Sequence, residues 1–311
     1  MLKPPKGVHR LTVETSRGVF AALEALPGTG ICERQPALLV PGYTGSKEDF
    51  IPVLALLASA GRRVLAIDMR GQHESPAAAG ADGYHLSALA ADLAAVGDTL
   101  GARDAPNGQP RRVHLLGHSF GGLVAREMVL TQPAVIGSLT LMGSGPGVLG
   151  GSRAVTLTAM LAHLRGIPPT ALGSEIRRLW DTQLEPQAVA DGVPAAILRF
   201  LRTRMLNNCP TGLVTMAETL LTCPDRTVAL AELCPTPMLV VYGENDDAWA
   251  PETQENMAKR LAAQRVCIPG AAHSPAVEAP ETVTSTLTAF WNEAENHRAR
   301  ANSPARARSQ A

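Results

Sequence analysis

The sequence predicts an α/β fold: a mostly parallel central sheet with flanking helices, carrying a helical cap. Three observations predict it. Short apolar runs such as Ala37–Val40 and Arg63–Ile67 alternate with amphipathic helical patterns, as expected for strands covered on both faces. One such run, Val113-His114-Leu115-Leu116, stops at Gly117-His118-Ser119-Phe120-Gly121. It then passes directly into a helical pattern through Leu123, Val124, Met128 and Val129. Finally, from about Ser152 to about Glu232 the strand rhythm is replaced by helical patterns alone.

In chain order, His9–Thr15 and Gly18–Leu26 alternate as two strands joined by a turn at Ser16-Arg17-Gly18. Ala37–Val40 ends in the turn Pro41–Ser46, and Lys47–Ala60 is helical. Arg63–Ile67 closes on Asp68–Ser75, and His85–Leu100 is an Ala/Leu-rich amphipathic helix. The strand Arg112–Leu116, the serine turn, its helix and the strand Ser138–Met142 follow, an alternation that implies parallel pairing. The helical stretch contains candidates at Arg153–Leu164, Ser174–Leu184, Pro194–Leu206, Gly212–Leu221 and Thr227–Leu233. Strands return at Met238–Tyr242 and Arg265–Ile268 around a helix from Glu252 to Leu261, and a last helix spans Glu281–Ala294. The expected division is a core over 1–146, a helical cap or lid insertion over 147–234, a second part of the core over 235–295, and a disordered Arg/Ala/Ser-rich tail over 296–311.

Composition narrows the function classes. At 311 residues, 45% hydrophobic and 18% charged, the chain has the balance of a globular protein with a large core. Its 28 basic residues cancel its 28 acidic ones, which argues against nucleic acid or an anionic membrane as the main partner. Met1–Lys6 has no apolar signal region, and no apolar run approaches membrane-spanning length. The five cysteines (Cys32, Cys209, Cys223, Cys234, Cys267) are odd in number and scattered, without a Cys-x-x-Cys pair. These features lead to the expectation of a cytoplasmic protein with no disulfide framework. No phosphate cradle, dinucleotide fingerprint or clustered metal ligand set is present, so the expectation is no cofactor, no metal and a small-molecule partner.

The Gly117–Gly121 segment carries the chemistry. A turn this sharp between strand and helix crowds the backbone around Ser119, so the residues two before and two after it must be small. It would present a hydroxyl at the strand's carboxyl end, with the helix N-terminus behind it. A serine hydroxyl is a poor nucleophile at neutral pH; it needs a base, and the base needs an orienting acid. Both belong on loops after later strands. After Met238–Tyr242 come Glu244, Asp246 and Asp247; after Arg265–Ile268 comes Pro269-Gly270-Ala271-Ala272-His273-Ser274-Pro275. Asp225 competes for the acid, and His118, His73 and His85 compete for the base, but none of those histidines follows a late strand. His118 adjoins the serine and is expected to point away from it, into the packing around the elbow. Ser119 would otherwise be a helix cap, and Met160, Leu164, Leu179, Met205, Met216 and Leu220 read first as core packing.

On these residues the chain resembles the α/β-hydrolase family, over nearly all of residues 8–294, with the helical insertion matching in position and type only. The resemblance implies Ser119 as nucleophile, Asp246 as acid three residues after the strand-ending Gly243, and His273 in a Gly-x-x-His-x-Pro-like loop as base. It implies an oxyanion hole from the backbone N–H groups of Phe120 and Tyr43, the latter after Pro41-Gly42, where the family commonly has His-Gly. Proline there removes a side chain that often braces the loop. Asp68-Met69-Arg70-Gly71…Ser75 resembles the family's Asp-x-Arg-Gly-x-Gly-x-Ser turn, with His73 in place of the second glycine. The implied activity is a cofactor-free serine hydrolase acting on a small or medium, apolar carboxylic ester through an acyl-enzyme. Thioesterase, C–C bond hydrolase, perhydrolase (haloperoxidase-like) and acyltransferase chemistry use the same groups and stay open, as does a catalytically silent ligand-binding member.

Overall fold

In a computed structural model, residues 2–301 are described apart from 29, 31, 33, 104, 106, 107, 234 and 235. The apolar runs become strands: β3 (Ala37–Val40), β4 (Val64–Ile67), β5 (Val113–His118), β6 (Ile136–Met142) and β7 (Met238–Gly243) are buried at every position. With β1 (Val8–Thr15), β2 (Gly18–Ala25) and β8 (Gln264–Ile268) they form one eight-stranded sheet, ordered β1-β2-β4-β3-β5-β6-β7-β8. β1, β2 and β4 pair antiparallel and the remaining neighbours pair parallel. The register sets Val40 beside Gly117, His118 beside Met142, and Gly243 beside Ile268. Their carboxyl ends therefore meet at one edge, where open α/β sheets place their ligands.

Side chains alternate across the buried strands. Val113 and Leu115 of β5 face α2 (Leu86–Arg103) and α3 (Phe120–Thr131), and Leu116 packs on the opposite face. There α1 (Ile51–Ala58) and, from the end of the chain, the helices over Pro275–Glu278 and Pro280–Ala301 cover it. After β6 the chain is helical through α4 (Gly151–Leu164), α5 (Leu172–Leu179), α6 (Glu185–Ala190), α7 (Ala195–Asn207), α8 (Pro210–Thr222) and α9 (Thr227–Leu233). The helix expected over Ser174–Leu184 is divided: α5 ends at Leu179, and a π-helical turn over Trp180–Leu184 leads into α6. Helix α10 (Pro251–Arg260) lies between β7 and β8, followed by α11 (Pro275–Glu278) and α12 (Pro280–Ala301).

Helix α12 runs on to Ala301, into the segment expected as a disordered tail over 296–311; residues 302–311 lie outside the described residues. The helix is anchored just before that point. Glu295 Oε1 accepts from Arg62 Nη1 at 2.8 Å and faces His114 Nε2 at 3.0 Å, while Arg62 lies over the Trp291 ring. Arg298 and Arg300 then suit the negative end of the helix dipole.

His114 sits inside this network with its other nitrogen 2.7 Å from Ser138 Oγ, so a neutral ring donates to Glu295 and accepts from Ser138. Burial pushes its imidazole down to about 4 from 6.5, against the pull of Glu295. The folded state thus refuses a proton that the unfolded chain accepts. The stability this contributes is complete above 6.5 and is lost as pH falls toward 4. The thermal midpoint is expected to decline across that window, and less steeply in His114→Gln. A decline of unchanged slope in the variant would exclude His114 as a source. His118, also held down to about 4 by burial, supplies part of the remainder.

Candidate active site

Ser119 follows β5 and stands at the N-cap of α3 with φ 53° and ψ −121°, a conformation costly for a residue with a side chain. The neighbours make it possible. A Cβ on Gly117 would run into the carbonyl of Gly121, and a Cβ on Gly121 would run into those of Val40 and Pro41. Two hydrogen bonds hold the turn: Ser119 N donates to Met142 O, and Gly122 N to Ser119 O, each at 2.9 Å. The hydroxyl is thereby held at the carboxyl edge of the sheet.

The loops after β7 and β8 come to it together. Glu244 N donates to Ile268 O at 3.0 Å and Asn245 N to Ala271 O at 2.9 Å, and Gly243 lies so close to the carbonyls of Ala271 and Ala272 that no Cβ would fit. This pairing brings His273 Nε2 to 3.0 Å from Ser119 Oγ, and His273 Nδ1 to 3.0 Å from Asp246 Oδ1. Asp246 also accepts from Ala248 N at Oδ1 and from Gln254 Nε2 at Oδ2, both at 2.9 Å. Burial alone would raise the Asp246 carboxyl, but the His273, Ala248 and Gln254 hydrogen bonds, with the His273 charge, hold it below its ordinary value. Asp247 instead is exposed and pairs with Arg153 at 2.7 Å, both bordering the cavity in front of Ser119. Asp225 pairs with Arg260, and His85 is exposed beside Asp82.

His118 differs from its expected orientation. It is buried beside the elbow, yet it borders the cavity in front of Ser119, and its Nε2 donates to His273 O at 2.8 Å. The backbone of the His273 loop is therefore held by the residue preceding the serine. His73 adopts φ 40° where the family turn has glycine. Its N–H donates to Asn208 Oδ1 at 3.3 Å and its ring meets Phe200 edge-on, while Cys209 N donates to Gly71 O at 2.7 Å. This turn thus receives the α7–α8 connection.

Phe120 opens α3, so its N–H has no partner within the helix, and Tyr43 N–H follows Gly42 in the loop beyond β3. Among the described residues neither amide donates to a protein acceptor. Ser119, His273 and Tyr43 open on a cavity of about 720 Å³ roofed by apolar side chains of α4, α5, α7 and α8. Met160, Leu164, Leu179, Met205 and Leu220 line it, contrary to a purely packing role; Met216 is confined to the core. At its rim Arg204 pairs with Asp49 at 2.5 Å.

Among the described residues one group could hold a metal ion: Glu48, His73 and Glu74 have ligand atoms within 4.8 Å of one another. Lys47 Nζ already stands 2.7 Å from Glu74 Oε2, 3.3 Å from Glu48 Oε1 and 2.6 Å from Asp68 Oδ2, which supplies the positive charge these carboxylates need. Gln254 and the His118 contact were not legible in the sequence. Both act through side chains that reach across loops, without a motif of their own.

The model of the alpha/beta hydrolase family matches residues 37–286. A Variovorax paradoxus protein named carbamate hydrolase RutD is 38% identical over 115 residues, 37% of this chain and 40% of that protein, so the match spans about two fifths of the relative's length. A longer match, 27% identical over 267 residues and covering 82% of this chain, is with the mouse sn-1-specific diacylglycerol lipase ABHD11, of which it covers 80%. Among solved structures, a thermophilic esterase from Thermogutta terrifontis superimposes with a TM-score of 0.66 at 24% identity, over 92% of this chain and 99% of that one. Matched by the family model over most of its length and folded as that esterase is, the chain belongs to the alpha/beta hydrolase family.

Proposed function

We propose that this chain is a serine hydrolase that cleaves a small or medium, apolar carboxylic ester through an acyl-enzyme. The observation that carries the reading is the chain of hydrogen bonds from Asp246 through His273 to Ser119, opening directly on the apolar cavity. His273 Nε2 takes the Ser119 proton as Oγ attacks the ester carbonyl, and the N–H groups of Tyr43 and Phe120 receive the oxyanion. The imidazolium, stabilised by Asp246, then protonates the leaving alcohol. Water enters, gives a proton to His273 and attacks the acyl carbon; collapse of the second tetrahedral intermediate returns that proton to Ser119 and frees the acid. Residues 147–234 act as a lid in this reading, and their apolar side chains select the acyl or alkyl group.

The test is labelling by a fluorophosphonate, followed by location of the modified residue, alongside hydrolysis of p-nitrophenyl esters of increasing chain length. Modification at Ser119, with turnover improving as the acyl chain lengthens to fill the cavity, is expected. Modification elsewhere, or none with no turnover, would refute the assignment.

A further inference from the structure

We propose that Gln72 is a positioning residue for the oxyanion site, holding the Gly42–Tyr43 peptide so that its N–H points at the reacting oxygen. The proposal deepens the hydrolase reading and rests on it. Gly42 C=O and Tyr43 N–H belong to one planar trans peptide and point in opposite directions, so whatever fixes the carbonyl fixes the amide. Gly42 O accepts from Gln72 Nε2 at 2.9 Å and from Gly45 N at 3.1 Å. Gln72 is 1% exposed and is itself tied to its own turn: its Oε1 accepts from Met69 N at 3.1 Å, and its N–H donates to Met69 O at 2.9 Å. One buried side chain from the turn after β4 therefore holds the loop after β3. Pro41, the residue preceding Gly42, has no side-chain donor to do so.

The orientation of this peptide needs holding. The loop is pressed against the elbow, since a Cβ on Gly42 would stand 3.0 Å from Ser119 Cβ. Its position is therefore set by packing, but rotation of the Gly42–Tyr43 peptide plane is not. A flip would change ψ at Gly42, which glycine tolerates, and φ at Tyr43, where the side chain resists it. A flipped peptide would turn the Gly42 carbonyl toward the developing oxyanion, replacing attraction by repulsion. The Gln72 donor opposes the flip. It also polarises the peptide in the direction that strengthens the Tyr43 N–H as a donor.

The experiment uses the full chain with Gln72→Met, which keeps the volume and removes the donor, and Gln72→Glu, which keeps the shape and faces the carbonyl with an acceptor when ionised. The readouts are kcat and KM for p-nitrophenyl butyrate, the inhibition constant of an alkylboronic acid whose serine adduct carries a tetrahedral anionic centre, and the thermal midpoint. Loss of native turnover in Ser119→Ala establishes the hydrolase reading first, so that a failure there is distinguishable from a failure of Gln72. The expected result is a fall in kcat of about 10- to 100-fold in both variants, KM within about twofold, and boronate affinity weakened in parallel with kcat. Both acylation and deacylation pass through an oxyanion, so either rate-limiting step reports it. A purely structural role lowers the thermal midpoint without making boronate affinity follow kcat. Unchanged kcat in both variants, or a loss of turnover with boronate affinity intact, overturns the proposal. If Gln72→Met does not fold, Gln72→Glu decides by the same criteria.

Discussion

Ser119→Ala is expected to lower kcat for a p-nitrophenyl ester by about 10⁴- to 10⁶-fold while leaving the thermal midpoint nearly unchanged. The size of the loss follows from the geometry. His273 Nε2 has Ser119 Oγ as its partner at 3.0 Å, and without that oxygen the base has only water to activate. The amides of Tyr43 and Phe120 and the apolar cavity remain, so a residual rate above the uncatalysed one is expected. Stability is spared because the turn is held by backbone bonds from Ser119 N and Gly122 N and by the absent side chains at Gly117 and Gly121. Steady-state kinetics and a thermal melt on the same preparation check both halves. Native-like turnover in the variant would remove Ser119 as nucleophile.

Asp246→Asn is expected to cost about 10³- to 10⁴-fold in kcat, and Asp247→Asn no more than about threefold. Asp246 Oδ1 accepts from both His273 Nδ1 and Ala248 N, and Oδ2 accepts from Gln254 Nε2. Every surrounding group is a donor, so an amide NH₂ opposes two of them at the Oδ1 position and one at the Oδ2 position. Turned toward His273, the NH₂ selects the tautomer that cannot take the serine proton. Turned toward Gln254, it leaves the imidazolium without a countercharge. Gln254 adapts poorly, because its Nε2 also donates to Trp249 O at 2.8 Å. The Asp247 pair with Arg153 joins side chains 55% and 43% exposed, where solvent screening leaves little to lose. Parallel kinetics on the two variants separate the candidates, and a loss confined to Asp247→Asn would reverse the assignment.

Much of this site was legible along the chain because its parts are local. Gly117-His118-Ser119-Phe120-Gly121 suggests its own turn: the small residues two before and two after the serine answer the steric demand of a sharp strand-to-helix turn. The loops carrying Asp246 and His273 were legible for a related reason, since each follows a strand of the parallel part of the sheet and parallel strands align their carboxyl ends. Asp246 was separable from Asp247 only by its offset from Gly243 in a family resemblance. In the fold the two neighbours part: Asp246 is buried in a ring of donors, and Asp247 is exposed and pairs with Arg153 at the cavity border.

What the sequence by itself determined was the order of strands and helices, the elbow around Ser119 and the loops carrying Asp246 and His273. Hydrophobic periodicity and glycine sterics act over a few residues and leave a readable pattern. Only the tertiary structure decided that Gln72 reaches Gly42, that Gln254 holds Asp246, that His118 braces the His273 loop, and that five apolar side chains of the helical segment face a cavity. Those contacts join residues far apart in the chain or on separate loops. They depend on how loops and helices stack over the sheet edge, and no local rule of spacing records that stacking.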